Sequence, residues 1–142
     1  VAGIDNPWLA LESGITLTGP TGELTAELGD QPVEVDGVPT TQVTLGATSY
    51  LLAQDDDGNV WRFVEGAEPG LFMAATPRYG DGYRTAYDEG VFEERATVTD
   101  LEDDTVEITT TDPARPGADT IATYEKGTGL VRLENAEGVF ER

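Results

Sequence analysis

The sequence predicts an all-β fold: a single, mostly antiparallel domain of about ten short strands, arranged as a half-barrel, barrel or sandwich. Three observations predict it. Apolar and polar residues alternate with a period of two over short runs, as in LTAEL at 24–28. Gly, Pro, Asn and Asp separate those runs at roughly 8–12-residue spacing. No segment sustains an apolar period of about 3.6 residues, so no amphipathic helix is expected. With 142 residues the chain has the size of one domain. Residues 1–142 are therefore expected to form one β unit, with 1–13 as an extended lead-in.

The lead-in contains Asp5-Asn6-Pro7-Trp8. Pro7 fixes its own φ and disfavours helix at Asn6. Trp8, Leu9 and Leu11 are expected to tuck under one end of the sheet, with at most one short helical turn. Residues 14–28 read as a hairpin: ITLT, a Gly19-Pro20-Thr21-Gly22 turn, then ELTAEL, with Leu24, Ala26 and Leu28 sharing a face. Residues 31–35 and 39–45 flank Asp36-Gly37, a favoured hairpin dipeptide. The organising stretch is 48–65, TSYLLAQDDDGNVWRFVE, two apolar runs about an acidic turn. Tyr50 and Leu52 face one way, Leu51 and Ala53 the other; Val60 and Val64 oppose Trp61 and Phe63. Apolar side chains on both faces predict a central strand pair, or one wrapped by loops.

Beyond it, Leu71-Phe72-Met73 is a short apolar plug, expected as an edge strand or a buried loop segment. Residues 82–87 alternate and return as VFEERATVTDL, and TVEITTT at 105–111 is rich in β-branched residues. Residues 112–119, DPARPGAD, are the least structured loop. TIATYEK and LVRLEN close a hairpin around Gly127-Thr128-Gly129, and Val139-Phe140 begins a last strand.

Composition removes several chemistries. Acids number 28 against 8 bases, a net charge of −20, so nucleic acid and anionic membrane surfaces are poor partners. Cations, basic proteins and neutral ligands remain. There is no cysteine and no histidine, which excludes disulfides, thiolate chemistry and the serine and cysteine triads. No phosphate-binding Gly-rich loop is present, and no run approaches the ~20 apolar residues of a membrane helix. No basic-plus-apolar leader precedes Val1, so any export signal or upstream lipid anchor is expected to have been removed.

Two constellations are candidates for binding. Asp55, Asp57 and Asn59 alternate as in the first half of a calcium loop, but the Gly and Glu an EF-hand needs at its sixth and twelfth positions are replaced by Val60 and Gly66. Weak Ca²⁺ binding stands beside a plain hairpin loop in which Gly58 or Asn59 takes φ > 0 and an Asp caps backbone N–H groups; no other cofactor is expected. Trp61, Phe63, Tyr83 and Tyr87 are candidates to line a concave sheet face that holds a lipid or glycan, against the reading that they are core.

Four stretches, DNPWLALESG, YLLAQDDDGNVWRFVEG, EPGLFMAATPRYGDGYRTAY and GTGLVRLEN, appear in that order. Together they resemble an uncharacterised family of bacterial exported or lipid-anchored β domains. Members carry DNPY-x-x-L-x-x-G, YAQD-x-DGNVWYFGE, PGI-x-MPA-x-P-x-x-GD-x-YRQEY and GVGLV. Gln54, Asp55, Asp57, Gly58, Asn59, Val60 and Trp61 match the second motif; Pro69, Gly70, Met73, Ala74, Pro77, Gly80, Tyr83, Arg84 and Tyr87 match the third. Here Ile15-Thr16-Leu17-Thr18 replaces the aromatic-rich strand that usually follows the first motif, and the hairpins between motifs are shorter. The resemblance implies export and an antiparallel β fold, with no established activity.

The expected function is thus non-enzymatic: an exported binding or assembly module at or beyond the cell envelope, meeting a protein partner or itself through its sheet face or edge strands. The alternative is a carrier of a lipid or other apolar ligand in a half-barrel. A carboxylate-dependent hydrolase comes third.

Overall fold

The computed structural model describes residues 6–9, 15–29, 31–45, 48–63, 68–88, 92–111 and 119–142. They form thirteen strands rather than about ten: β1 (Ile15–Gly19), β2 (Gly22–Leu28), β3 (Val33–Val35), β4 (Val38–Leu45), β5 (Thr48–Gln54), β6 (Val60–Phe63), β7 (Glu68–Met73), β8 (Gly82–Asp88), β9 (Phe92–Leu101), β10 (Thr105–Thr111), β11 (Thr120–Glu125), β12 (Gly129–Asn135) and β13 (Gly138–Glu141). The fold class is as predicted, all-β and antiparallel. The thirteen include Glu68–Met73, a full strand where the sequence left an edge strand or a buried loop segment open.

From β4 to β13 the sheet is an up-and-down meander. It then curls so that β13 meets β1, with Thr18 opposite Glu141. β2 returns to β4, with Leu28 opposite Val43 and Ala26 opposite Leu45. The other half of β4 carries β3, with Val33 opposite Thr40 and Val35 opposite Val38. The sheet is thereby nearly closed into a barrel, and closure removes the unpaired edges that an open sheet would present. β7, expected as an edge or a loop, lies between β6 and β8, and its Met73 is fully buried.

Period-two alternation decides which side chains fill the interior. On β9, Ala96 and Val98 are buried while Arg95, Thr97 and Thr99 are exposed; on β10, Val106 and Ile108 point in. Leu52, Val60, Met73 and Tyr124 complete the inner layer from β5, β6, β7 and β11. A bulge in β7 opposite Val60 and Trp61 leaves Phe72 as the extra residue, so Phe72 packs against the core beside Met73 and tilts against the Tyr50 ring at 5.3 Å. At the tip of the β3–β4 hairpin Asp36 has φ 51° and Gly37 φ 83°. Two consecutive left-handed residues make the two-residue turn that the dipeptide predicts.

The barrel has two ends. The β5–β6, β7–β8, β9–β10 and β11–β12 connections lie at one, and the 6–9 segment is seated there. Trp8 and Leu9 belong to the core cluster at 7% and 4% exposure, as predicted for both; Leu11 lies outside the described residues. The short turn is present, with Leu9 N donating to Asn6 O at 3.1 Å.

Candidate functional site

The site is built around Asn6, which is 2% exposed. Its backbone N donates to Gln54 Oε1 at 2.9 Å, at the end of β5. Its side-chain amide donates to Gly58 O at 2.8 Å and to Ala74 O at 3.1 Å. Its Oδ1 accepts from Trp8 N at 2.9 Å, which closes the turn. Gly127 N then donates to Pro7 O at 2.7 Å, and Lys126 Nζ lies 5.7 Å over the Trp8 ring, within the range of a cation–π contact. One asparagine thus joins two hairpin ends, β5–β6 and β7–β8, with every hydrogen-bonding group of its amide used, and Pro7 adds the third.

The acidic loop presents the acceptor that Asn6 needs. Asp55 Oδ1 accepts from Asp57 N at 2.9 Å and Asn59 N at 3.0 Å, while Oδ2 accepts from Trp61 Nε1 at 2.9 Å. Asp55 N and Asn59 O close the hairpin at 2.9 Å, and Gly58, at φ 89°, takes the left-handed position. That conformation is open to glycine at little cost. Asn59 Oδ1 accepts from Ala75 N at 2.8 Å, tying the loop to the end of β7.

Of the three calcium candidates, Asp55 and Asn59 have side-chain oxygens that accept from N–H groups, and no group of three or more carboxylates converges on a metal position among the described residues. The hairpin reading, with Gly58 at positive φ and an Asp capping backbone N–H groups, describes the loop as it stands.

Hydrogen bonds to the charged form, that from Trp61 foremost, hold the Asp55 carboxyl below the ordinary carboxylate range. A depressed folded-state value stabilises the fold at pH above that range, and the contribution is lost as pH falls through the folded value. Trp61→Phe removes the strongest donor, so the acid midpoint of unfolding is expected to move to higher pH. A pH series followed by circular dichroism checks this; an unmoved midpoint would remove Asp55 from the acid limb.

Among the aromatic candidates, Trp61 and Phe63 do not share a face with Tyr83. Trp61 and Phe63 have the opposite parity to Val60, so they point outward, opposite Ala53 and Leu51. Tyr83 packs against the core. Tyr87 lies on β8, and its side chain is outside the described residues. Twist and parity have put Trp61 and Tyr83 on opposite faces of one sheet, which a list of aromatic residues does not reveal.

The inward tyrosines make an alkaline limb. Burial pushes Tyr83 up to about 12 from an ordinary value of 10.0, with Asp81 adding to it. Tyr50 and Tyr124 are raised by the same cause. Raised values leave the fold at full stability below the ordinary tyrosine range and erode it above. Thermal melts are expected to be level up to about pH 10 and to fall steeply beyond, with ionisation of Tyr50, Tyr83 and Tyr124 appearing together with unfolding. Residue-resolved NMR that found any of these three ionised in the intact fold would contradict this, whereas exposed Tyr79 carries no information on it.

Sequence reading missed one further inward group. Arg62 shares its face with its cross-strand partner Leu52. Its Nη1 donates to Glu94 Oε1 at 2.9 Å, with the two side chains 16% and 22% exposed. Its guanidinium sits 4.8 Å from the centre of the Tyr50 ring. In sequence it was only a polar residue between two aromatics, and its partner lies 32 positions away.

Fold and site together define a class: an antiparallel β-barrel, nearly closed, whose plugged end is keyed by an N-terminal asparagine. The hydrogen bonds there tie the 6–9 segment to the β5–β6, β7–β8 and β11–β12 ends. Comparison with known protein families, with curated proteins and with solved structures found no match.

Proposed function

We propose that this chain is a non-enzymatic binding module, exported to or beyond the cell envelope, that meets a basic polypeptide partner with the outer face of β5, β6 and β7. The observation that carries the reading is a run of outward apolar side chains in register across three strands. Leu51 lies opposite Phe63, Ala53 opposite Trp61, and Trp61 opposite Leu71. All five are half-buried, and the Asp55 contact fixes the Trp61 ring. Apolar patches of this kind on an otherwise charged surface commonly mark interaction sites.

The net charge of −20 sets the partner's sign. Two copies repel one another, whereas a basic surface is attracted, and the attraction weakens with salt. The sheet face is favoured over the edge because pairing round the barrel uses up most edges. Among the described strands β3 keeps a free side, and it is three residues long with Glu34 exposed; short, charged edges resist strand addition. The carrier reading has less support, since Leu52, Val60, Met73 and Val106 fill the inner layer at 1% exposure or less. Export is supported by the resemblance of the four motifs.

The test is chemical cross-linking in the producing cells, comparing the wild type with a Phe63→Ser, Leu71→Ser variant. A basic polypeptide is expected to be captured by the wild type, released by high salt and lost from the variant, with both proteins melting within a few degrees of each other. Equal capture by both, or an acidic partner, would overturn the proposal.

A further inference from the structure

The 6–9 segment takes no part in any strand pairing, yet Asn6, Trp8 and Leu9 are as buried as the core. Its polar groups are met by Gln54, Gly58, Ala74 and Gly127, between 48 and 120 positions further along the chain. A segment bound by side-chain insertion and by loop carbonyls, with no ladder joining it to a neighbouring strand, is held as a peptide ligand is held. The receiving surface is built without it. Asp55 orders the 55–59 loop through Asp57, Asn59 and Trp61, and Asn59 fixes the end of β7 through Ala75 N. Gly58 O and Ala74 O are thus placed by contacts that do not involve the segment and form a paired acceptor, whose complement is a primary amide.

We propose that this end of the barrel is a peptide-recognition site for an Asn-Pro-Trp-Leu segment, filled in one chain by its own residues 6–9 and open to the same segment from a second copy. Specificity follows from the chemistry. The amide satisfies both carbonyls at once, Pro7 O accepts from Gly127 N, and the Trp8 ring enters the core beneath Lys126. Exchange between copies is opposed by like charge at −20 each, so salt promotes it. A free peptide carries little of that charge and binds without the penalty.

The experiment adds a fluorescent peptide of residues 1–14 to the full-length chain carrying Asn6→Ala, whose resident segment is weakened, and reads anisotropy. Saturable binding is expected, weaker to the wild-type chain because its own segment competes. An Asn6→Ala peptide should bind about tenfold or more weakly, two hydrogen bonds being lost. Absence of saturable binding to the weakened chain, or equal binding of the two peptides, would overturn the proposal. A second measurement holds if the Asn6→Ala chain fails to fold. Full-length chains carrying Pro7→Cys and Lys126→Cys are mixed under oxidation, the natural chain having no cysteine. Heterodimer above the share that random pairing of the two variants gives, increasing with salt, supports exchange; the random share alone refutes it. The Phe63→Ser, Leu71→Ser variant should bind the peptide as the parent does, which separates this site from the outer face.

Discussion

Asn6→Ala is expected to destabilise the protein by about 2–4 kcal/mol, and Asn6→Asp by more. The alanine leaves Gly58 O and Ala74 O without the amide that donates to them at 2.8 and 3.1 Å, and an unsatisfied buried polar group costs about 1–3 kcal/mol. The aspartate has nearly the same shape, but in place of Nδ2 it points one carboxylate oxygen at two carbonyl oxygens, so repulsion is added to the lost bonds. Its charged form is disfavoured in the fold, which raises the folded-state pKa of the introduced carboxyl. The deficit relative to wild type should therefore be smallest at pH below the ordinary carboxylate range and grow as pH rises through the raised value. Urea unfolding of the three proteins at several pH values checks both magnitude and sign. A cost below about 0.5 kcal/mol for both variants, the level of an ordinary surface change, would show that Asn6 does not join the β5–β6 and β7–β8 ends in solution.

Gly19→Ala is expected to cost about 1–3 kcal/mol by overpacking, through the seam where the barrel closes. A Cβ at Gly19 would collide with the Phe140 ring at Cδ2 and stand 2.6 Å from Cε2. Phe140 is 1% exposed and has no room to retreat. The clash therefore pushes β1 from β13, whose one in-register pair is Thr18 with Glu141. Combining Gly19→Ala with Phe140→Leu isolates the contact. The leucine alone loses buried volume, but the pair should cost less than the sum of the two, because the smaller side chain yields space to the new methyl. Additive costs, or a neutral Gly19→Ala, would mean that the first and last strands do not meet as described.

Much of the fold was legible because it is local. Alternation along TVEITTT marks Val106 and Ile108 as inward without reference to the rest of the chain, and Asp36-Gly37 announces its turn from backbone preference alone. Pro7 and Trp8 likewise read as a lead-in tucked under the sheet. The site was less legible. Asp55, Asp57 and Asn59 stood out by spacing, but spacing does not say which N–H groups their oxygens will meet; the Trp61 indole and the loop's own backbone supply those for Asp55. Asn6 drew no attention in sequence because nothing near it distinguishes it from any polar residue before a proline. Its signal was indirect: the four stretches that carry the family resemblance contain Asn6, Gln54 with Gly58, Ala74 and Gly127, and these are the residues that meet.

By itself the sequence determined the strands, the turns, the acidic surface, and the absence of thiol and imidazole chemistry, each a property of neighbouring residues or of plain composition. Only the tertiary structure decided that β2 returns to β4, that Arg62 faces inward to Glu94, that Trp61 and Tyr83 are on opposite faces, and that Asn6 holds one end shut. Those outcomes depend on register and sheet curvature. Both bring together groups dozens of residues apart, and they follow from how the whole sheet packs rather than from any single stretch of it.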